Sequence, residues 1–159
     1  MKRLTFLMVI TIACIAQCAA VNKNDFYLTY AMGKAEDVNS LINELKTDNK
    51  QGAEKAYLGV LLMKKAGFEK SLKKKLDLFK EGHKLLETEI TADPENAEYR
   101  FLRLTVQEKA PAILKYNRNI KEDKKMVIDA YPHLSTTVKT YIHRYCQYSK
   151  VLSVKDIEK

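Results

Sequence analysis

An all-α fold follows from three observations on the sequence. Only 5 Gly and 3 Pro stand among 159 residues, where average usage gives about 11 and 8, so the turn residues of a many-stranded fold are scarce. Apolar residues recur at i, i+3, i+4 and i+7 through most of the chain, the spacing of one helical face. No stretch alternates apolar and polar residues long enough to read as a strand. Hydrophobic residues at 46% and charged residues at 30% form a globular balance, which argues against disorder and against a polytopic membrane protein.

The first segment reads as a leader rather than as part of the fold. Lys2 and Arg3 form a basic start, and from Leu4 to Ala16 only Thr5 and Thr11 are polar. That run is too short to span a bilayer and suits a secretory h-region. Cys18-Ala19-Ala20 places cleavage after Ala20, so residues 1–20 read as a signal peptide and 21–159 as a single helical domain. Cleavage after Ala16 is a second reading. A third is a lipoprotein box at Ile15-Ala16-Gln17-Cys18 with Cys18 acylated, where Gln17 fits poorly against the small residue such a pocket takes. The expected location is therefore periplasmic or secreted, with a lipid anchor on Cys18 less favoured. Loss of residues 1–20 removes two cations and no acid, so the formal charge falls from +8 to +6. Cys146 then remains as the one cysteine, and its place on an apolar helix face reads as packing. No later segment is apolar for long enough to span a membrane.

Along the mature chain, Asn24 or Asp25 is expected to cap a short helix ending at Met32, with Gly33 as breaker. Val38, Leu41, Ile42 and Leu45 predict a helix over 34–46, followed by a turn at Asp48-Asn49. A helix from about Gln51 to Ala66 carries Ala53, Ala56, Tyr57, Val60 and Leu61 on one face, and Gly67 after Lys64-Lys65 is the expected stop. Ser71 should cap a long helix to Ala92, with Leu72, Leu76, Phe79, His83, Leu86 and Ile90 on one stripe. Pro94 is placed at the head of a helix to Lys109. Ala112–Tyr116 reads as a further turn, 120–130 as a helix, and Ser135 as the cap of a last helix through Val138, Tyr141, Ile142, Tyr145 and Leu152. The total is about six or seven helices.

Residues 53–67 (AEKAYLGVLLMKKAG) and 97–111 (AEYRFLRLTVQEKAP) align at an offset of 44. Ala53/Ala97, Glu54/Glu98, Leu58/Leu102, Lys65/Lys109 and Ala66/Ala110 are identical. A second helix follows each segment, so the pattern predicts antiparallel helix hairpins stacked side by side. Ala56-Tyr57-Leu58-Gly59, together with Asp93-Pro94-Glu95-Asn96-Ala97-Glu98-Tyr99, resembles the tetratricopeptide repeat over about residues 51–110. Small Gly59 and Gly82 suit the close crossings of such repeats. The offset of 44 exceeds the 34-residue unit of that family. The chain is similar to small exported helical proteins of bacteria. The resemblance implies a tetratricopeptide-like α-solenoid with a protein-binding groove, and it carries over no specific site residue.

Catalytic chemistry has little to stand on in this sequence. His83, His133 and His143 form no His-x-x-x-His motif, and His143 with Cys146 lacks the further ligands of a zinc site. There is no Gly-x-Ser-x-Gly, no Gly-rich phosphate loop, and Glu87 and Glu89 fall on different helix faces. No metal, cofactor or catalytic residue is assigned, and a non-enzymatic module is expected, with a helical enzyme or small-ligand carrier as a further alternative. Lys64, Lys65, Lys70, Lys73, Lys74, Lys75, Lys80 and Lys84 are interleaved with Glu69, Asp77 and Glu81. That run could attract an anionic polymer or lipid of the envelope, but its mixed signs favour a solvated helix face. Export argues against nucleic acid as partner. Arg100, Arg103 and Gln107 form a polar stripe at i, i+3 and i+7. In stacked hairpins such a stripe on a first helix would line the concave side, partly exposed, and bind a protein or peptide through its carboxylates. The alternative for the arginines is ion pairing with neighbouring acids. Tyr131, Tyr141, Tyr145 and Tyr148 are expected to seal the end of the array.

Overall fold

Capping and apolar spacing turn this pattern into eight α-helices in the computed structural model, which describes residues 21–46 and 51–158. In order they are α1 (Lys23–Met32), α2 (Ala35–Leu45), α3 (Ala53–Phe68), α4 (Leu72–Ala92), α5 (Ala97–Lys109), α6 (Ile120–Ala130), α7 (Thr136–Cys146) and α8 (Val154–Ile157). Two 3-10 turns, Ala112–Leu114 and Tyr131–His133, precede α6 and α7. No strand occurs among the described residues. The leader, with Cys14 and Cys18, and the Asp48-Asn49 turn lie outside the described residues.

The helix starts show where local chemistry overrode the expected boundaries. Asn22, not Asn24 or Asp25, caps α1, its side chain accepting from the Asn24 N–H. Asn96, not Pro94, opens α5 by accepting from the Tyr99 N–H. Pro94 stands in the turn before it, where its carbonyl accepts from Arg100. Ser71 and Ser135 cap α4 and α7 as expected. Gly67 does not stop α3; a Cβ there would point into open space, and the helix runs on to Phe68. The last long helix ends at Cys146, and Leu152 is buried in the connection to α8, the helix beyond the expected number.

Packing centres on the α3–α4 hairpin. Its crossing is close because Gly59 and Gly82 face each other: a Cβ on Gly59 would stand 2.7 Å from the Gly82 carbonyl oxygen. The α5–α6 hairpin follows, with α5 against both α3 and α4. Helix α2 packs on α3, while α1 crosses to touch both α3 and α7. An aromatic layer explains that crossing. Phe26 stacks on Tyr57 of α3 at 3.8 Å between centroids, and Tyr27 stacks on Tyr141 of α7 at 4.7 Å. Phe101 of α5 meets Tyr145 edge-on. The odd-numbered helices α3, α5 and α7 thus meet over one aromatic layer, and α1 lies across it. Tyr141 and Tyr145 are buried there, whereas Tyr148 is exposed.

Candidate functional site

The polar stripe of α5 is inside the protein. Arg100, Arg103 and Gln107 are only 8%, 4% and 2% exposed, so the expected partly open concave stripe is corrected. The cause is Asp123 on α6, which is fully buried. Arg103 grips it with two donors, Nε to Oδ2 at 2.7 Å and Nη2 to Oδ1 at 2.6 Å, and sends Nη1 to Glu87 of α4 at 2.9 Å. Arg100 donates Nε to the Pro94 carbonyl at 3.0 Å and Nη1 to Glu122 at 3.2 Å and Asp123 at 3.4 Å. Burial works against the Arg103 charge, but the hydrogen bonds and fields of Asp123 and Glu87 outweigh it and raise its pKa. The forked guanidinium is matched to a carboxylate, and the result is a clamp joining α4, α5 and α6. Gln107 lies buried with no partner for its amide oxygen or nitrogen among the described residues, a burial that costs about 1–3 kcal/mol.

Two further carboxylate hubs carry no signal in a motif scan. Glu98 accepts from Lys23 Nζ at 2.6 Å, Tyr57 Oη at 2.6 Å and Tyr27 Oη at 3.2 Å, so it anchors α1. Its identity with Glu54 in the 44-residue offset was the available clue. Burial, followed by the nearby Glu98 charge, pushes the Tyr57 phenol well up. Glu108 accepts from Tyr145, from Ser149 Oγ at 2.7 Å and from the Lys150 N–H at 2.6 Å. Burial raises its pKa, yet those three hydrogen bonds outweigh burial and hold it below the ordinary carboxylate value.

His83 and Cys146 have packing roles. His83 lies beside Phe79 and edge-on to Tyr116, whose hydroxyl donates to Glu87 at 2.6 Å. His143 faces Glu158 at 3.8 Å. Cys146 is buried, and burial pushes its thiol up to about 11, which leaves little thiolate at neutral pH. Among the described residues no three His, Cys, Asp or Glu side chains gather for a metal.

The lysine run divides. Lys64 turns inward and donates to the Tyr30 and Thr29 carbonyls at 2.6 and 3.2 Å, capping the end of α1. Burial and then Lys109 lower its pKa. Lys70, Lys73, Lys74, Lys75, Lys80 and Lys84 are exposed. At the α3–α4 turn Lys70 and Lys74, with Lys65, line a cleft of about 370 Å3 whose other walls are Asn39, Phe68, Ala35, Glu69 and Ser71. Phe68 and Leu72 flank the same turn at 46% and 71% exposed. Compared with known proteins, the chain matches no family model, no curated protein and no solved structure.

Proposed function

We propose that this chain is an exported, non-enzymatic interaction module, built as tetratricopeptide-like hairpins, that docks on an anionic component of the cell envelope through its α3–α4 turn. One observation carries the reading: exposed Phe68 and Leu72 flank the α3–α4 turn, where Lys65, Lys70 and Lys74 outnumber the one acid, Glu69, in the cleft that Phe68 lines, and exposed Lys73 follows Leu72 in the chain. Exposed apolar side chains beside lysines suit a surface that offers both negative charge and an apolar layer, and each lysine near such a surface contributes about 1 kcal/mol. The net charge of +6 after loss of the leader acts in the same direction. No helix among the described residues is long and apolar enough to cross a membrane.

Cosedimentation tests this. Vesicles containing phosphatidylglycerol should retain the protein, vesicles of phosphatidylcholine should not, and salt should release it. Combined Lys70→Glu, Lys73→Glu and Lys74→Glu should abolish retention while leaving the melting temperature nearly unchanged. Retention that ignores salt and these substitutions sinks the reading.

A protein or peptide partner is the second reading, favoured by the place of α1. Phe26, Tyr27 and Tyr30 lie on Tyr57, Tyr141 and Thr105 of α3, α7 and α5, so this face already holds one helix. A peptide using it must displace α1, and amide exchange in α1 should then run much faster than in α3. Equal protection of the two helices would count against this reading.

A further inference from the structure

Val21 is the first described residue, and it is tied down. Its side chain is 9% exposed and belongs to the apolar core. Its backbone N–H donates to Glu54 Oε1, in the first turn of α3, at 3.0 Å. The next basic group, Lys23, is held by Glu98 at 2.6 Å. Glu54 and Glu98 occupy equivalent positions of the two similar segments, so both carboxylates grip the start of the domain. The residue placed on Glu54 is the one that follows the Cys18-Ala19-Ala20 cleavage signal.

We propose that cleavage after Ala20 turns Val21 into a charged N-terminus that binds Glu54, making this carboxylate a receptor site for the chain's own processed end. The inference rests on reading residues 1–20 as a cleaved leader and is independent of the anionic-surface reading. A leader peptidase adds water across the Ala20–Val21 bond. The acyl carbon of Ala20 leaves as a carboxylate, and the Val21 nitrogen leaves as an amine that takes up a proton. An α-amino group titrates near 7.7–8.0, so at neutral pH it is mostly an ammonium. A neutral amide with one donor thereby becomes a cation with three, opposite a carboxylate already within hydrogen-bond distance, and the bond becomes charge-assisted. Cleavage after Ala16, or acylation at Cys18, leaves Val21 as an amide, and the bond it donates to Glu54 stays a neutral one. Processing after Ala20 would therefore strengthen the junction of the N-terminal segment with α3, an ion pair the precursor lacks.

N-terminal sequencing of the exported protein comes first. Val21 as first residue is expected; any other first residue overturns the processing reading and the proposal with it. Then the Val21-first protein is compared with a form one residue longer, beginning at Ala20, each with and without Glu54→Gln. The Val21-first protein should melt about 3–6 °C higher than the longer form, and the difference should vanish with Glu54→Gln. A difference that persists with Glu54→Gln, or no difference at all, overturns the ion pair while leaving the cleavage site standing. The reactivity of the Val21 amine is a second measure that needs no variant. An ammonium held by a carboxylate keeps its proton longer, so acylation of the Val21 amine at pH 7 should be several-fold slower than that of an unpaired peptide amine. The rate of the unpaired amine would likewise overturn the pair.

Discussion

Asp123 receives three guanidinium hydrogen bonds while having no exposed surface, and that fixes what its loss should do. Asp123→Ala leaves Arg103 buried with Glu87 as its remaining carboxylate, and Arg100 with Glu122 and the Pro94 carbonyl. Breaking a buried pair from one side costs about 3–5 kcal/mol, whereas replacing both sides by apolar groups is often near neutral. Asp123→Ala should therefore destabilise by about 3–5 kcal/mol in urea melts, and Arg103→Met with Asp123→Leu by clearly less. If the double variant is the weaker protein, the clamp stabilises through its charges, contrary to this account. The stripe Arg100-x-x-Arg103 left ion pairing open as an alternative, but it did not show the partners or the burial. Local spacing shows that two arginines share a face. Whether the face meets water depends on a carboxylate 20 residues further along, and a sequence pattern holds no information on that pairing.

At the scale of elements, spacing carried further. The apolar faces at 34–46, 71–92 and 120–130 are found as α2, α4 and α6 nearly to the residue, because i, i+3, i+4 burial is decided within one helix. Boundaries set by tertiary contact were harder to read. Leu152 was assigned to the last helix from its phase, yet it is buried from a turn held by Ser149, which accepts from the Val151 and Leu152 N–H groups. The close crossing of α3 and α4 was legible in Gly59 and Gly82, since only small residues allow it. A methyl on Gly59 would meet the Gly82 carbonyl at 2.7 Å and the Leu86 nitrogen at 3.0 Å. These are backbone atoms of the partner helix, so the two helices must move apart. Gly59→Ala should lower stability by about 1–3 kcal/mol through overpacking, although alanine raises helix propensity by about 1 kcal/mol. Far-ultraviolet circular dichroism should keep its helical signal while the urea midpoint falls. A midpoint that rises would mean propensity wins and the crossing yields.

Across the whole molecule, the C-terminal quarter is attached by carboxylates of lowered pKa, and this gives the fold an expected order of acid unfolding. Glu108 on α5 holds Tyr145, Ser149 and the Lys150 amide. Asp156 opens α8, where the Ser153 backbone N–H, then the Lys124 ammonium and the Ser153 hydroxyl, hold its carboxyl well below the ordinary range. Lys124 also donates to the Val151 carbonyl at 2.8 Å, joining α6 to the same segment. A carboxyl whose folded pKa lies below its unfolded value binds fewer protons when folded. Its contribution is complete above the unfolded value, near 4.3 for Glu and 3.9 for Asp, and is lost as pH falls through the lower folded value. The contribution of these two attachments should thus hold from neutral pH to about 5 and decline below about 4. The α3–α4 contact is made largely by apolar packing around Gly59, Gly82 and Leu86, which protonation does not touch, with one carboxylate tie, Glu89 to Lys55 and the Gly52 N–H. Amide exchange followed by mass spectrometry at decreasing pH, corrected for intrinsic rates, should show residues 147–158 losing protection before α3 and α4. Glu108→Gln should release the same segment at pH 7 and flatten the acid limb. Simultaneous loss of protection in α3, α4 and the C-terminal segment would show that the carboxylate attachments stabilise the molecule as one unit.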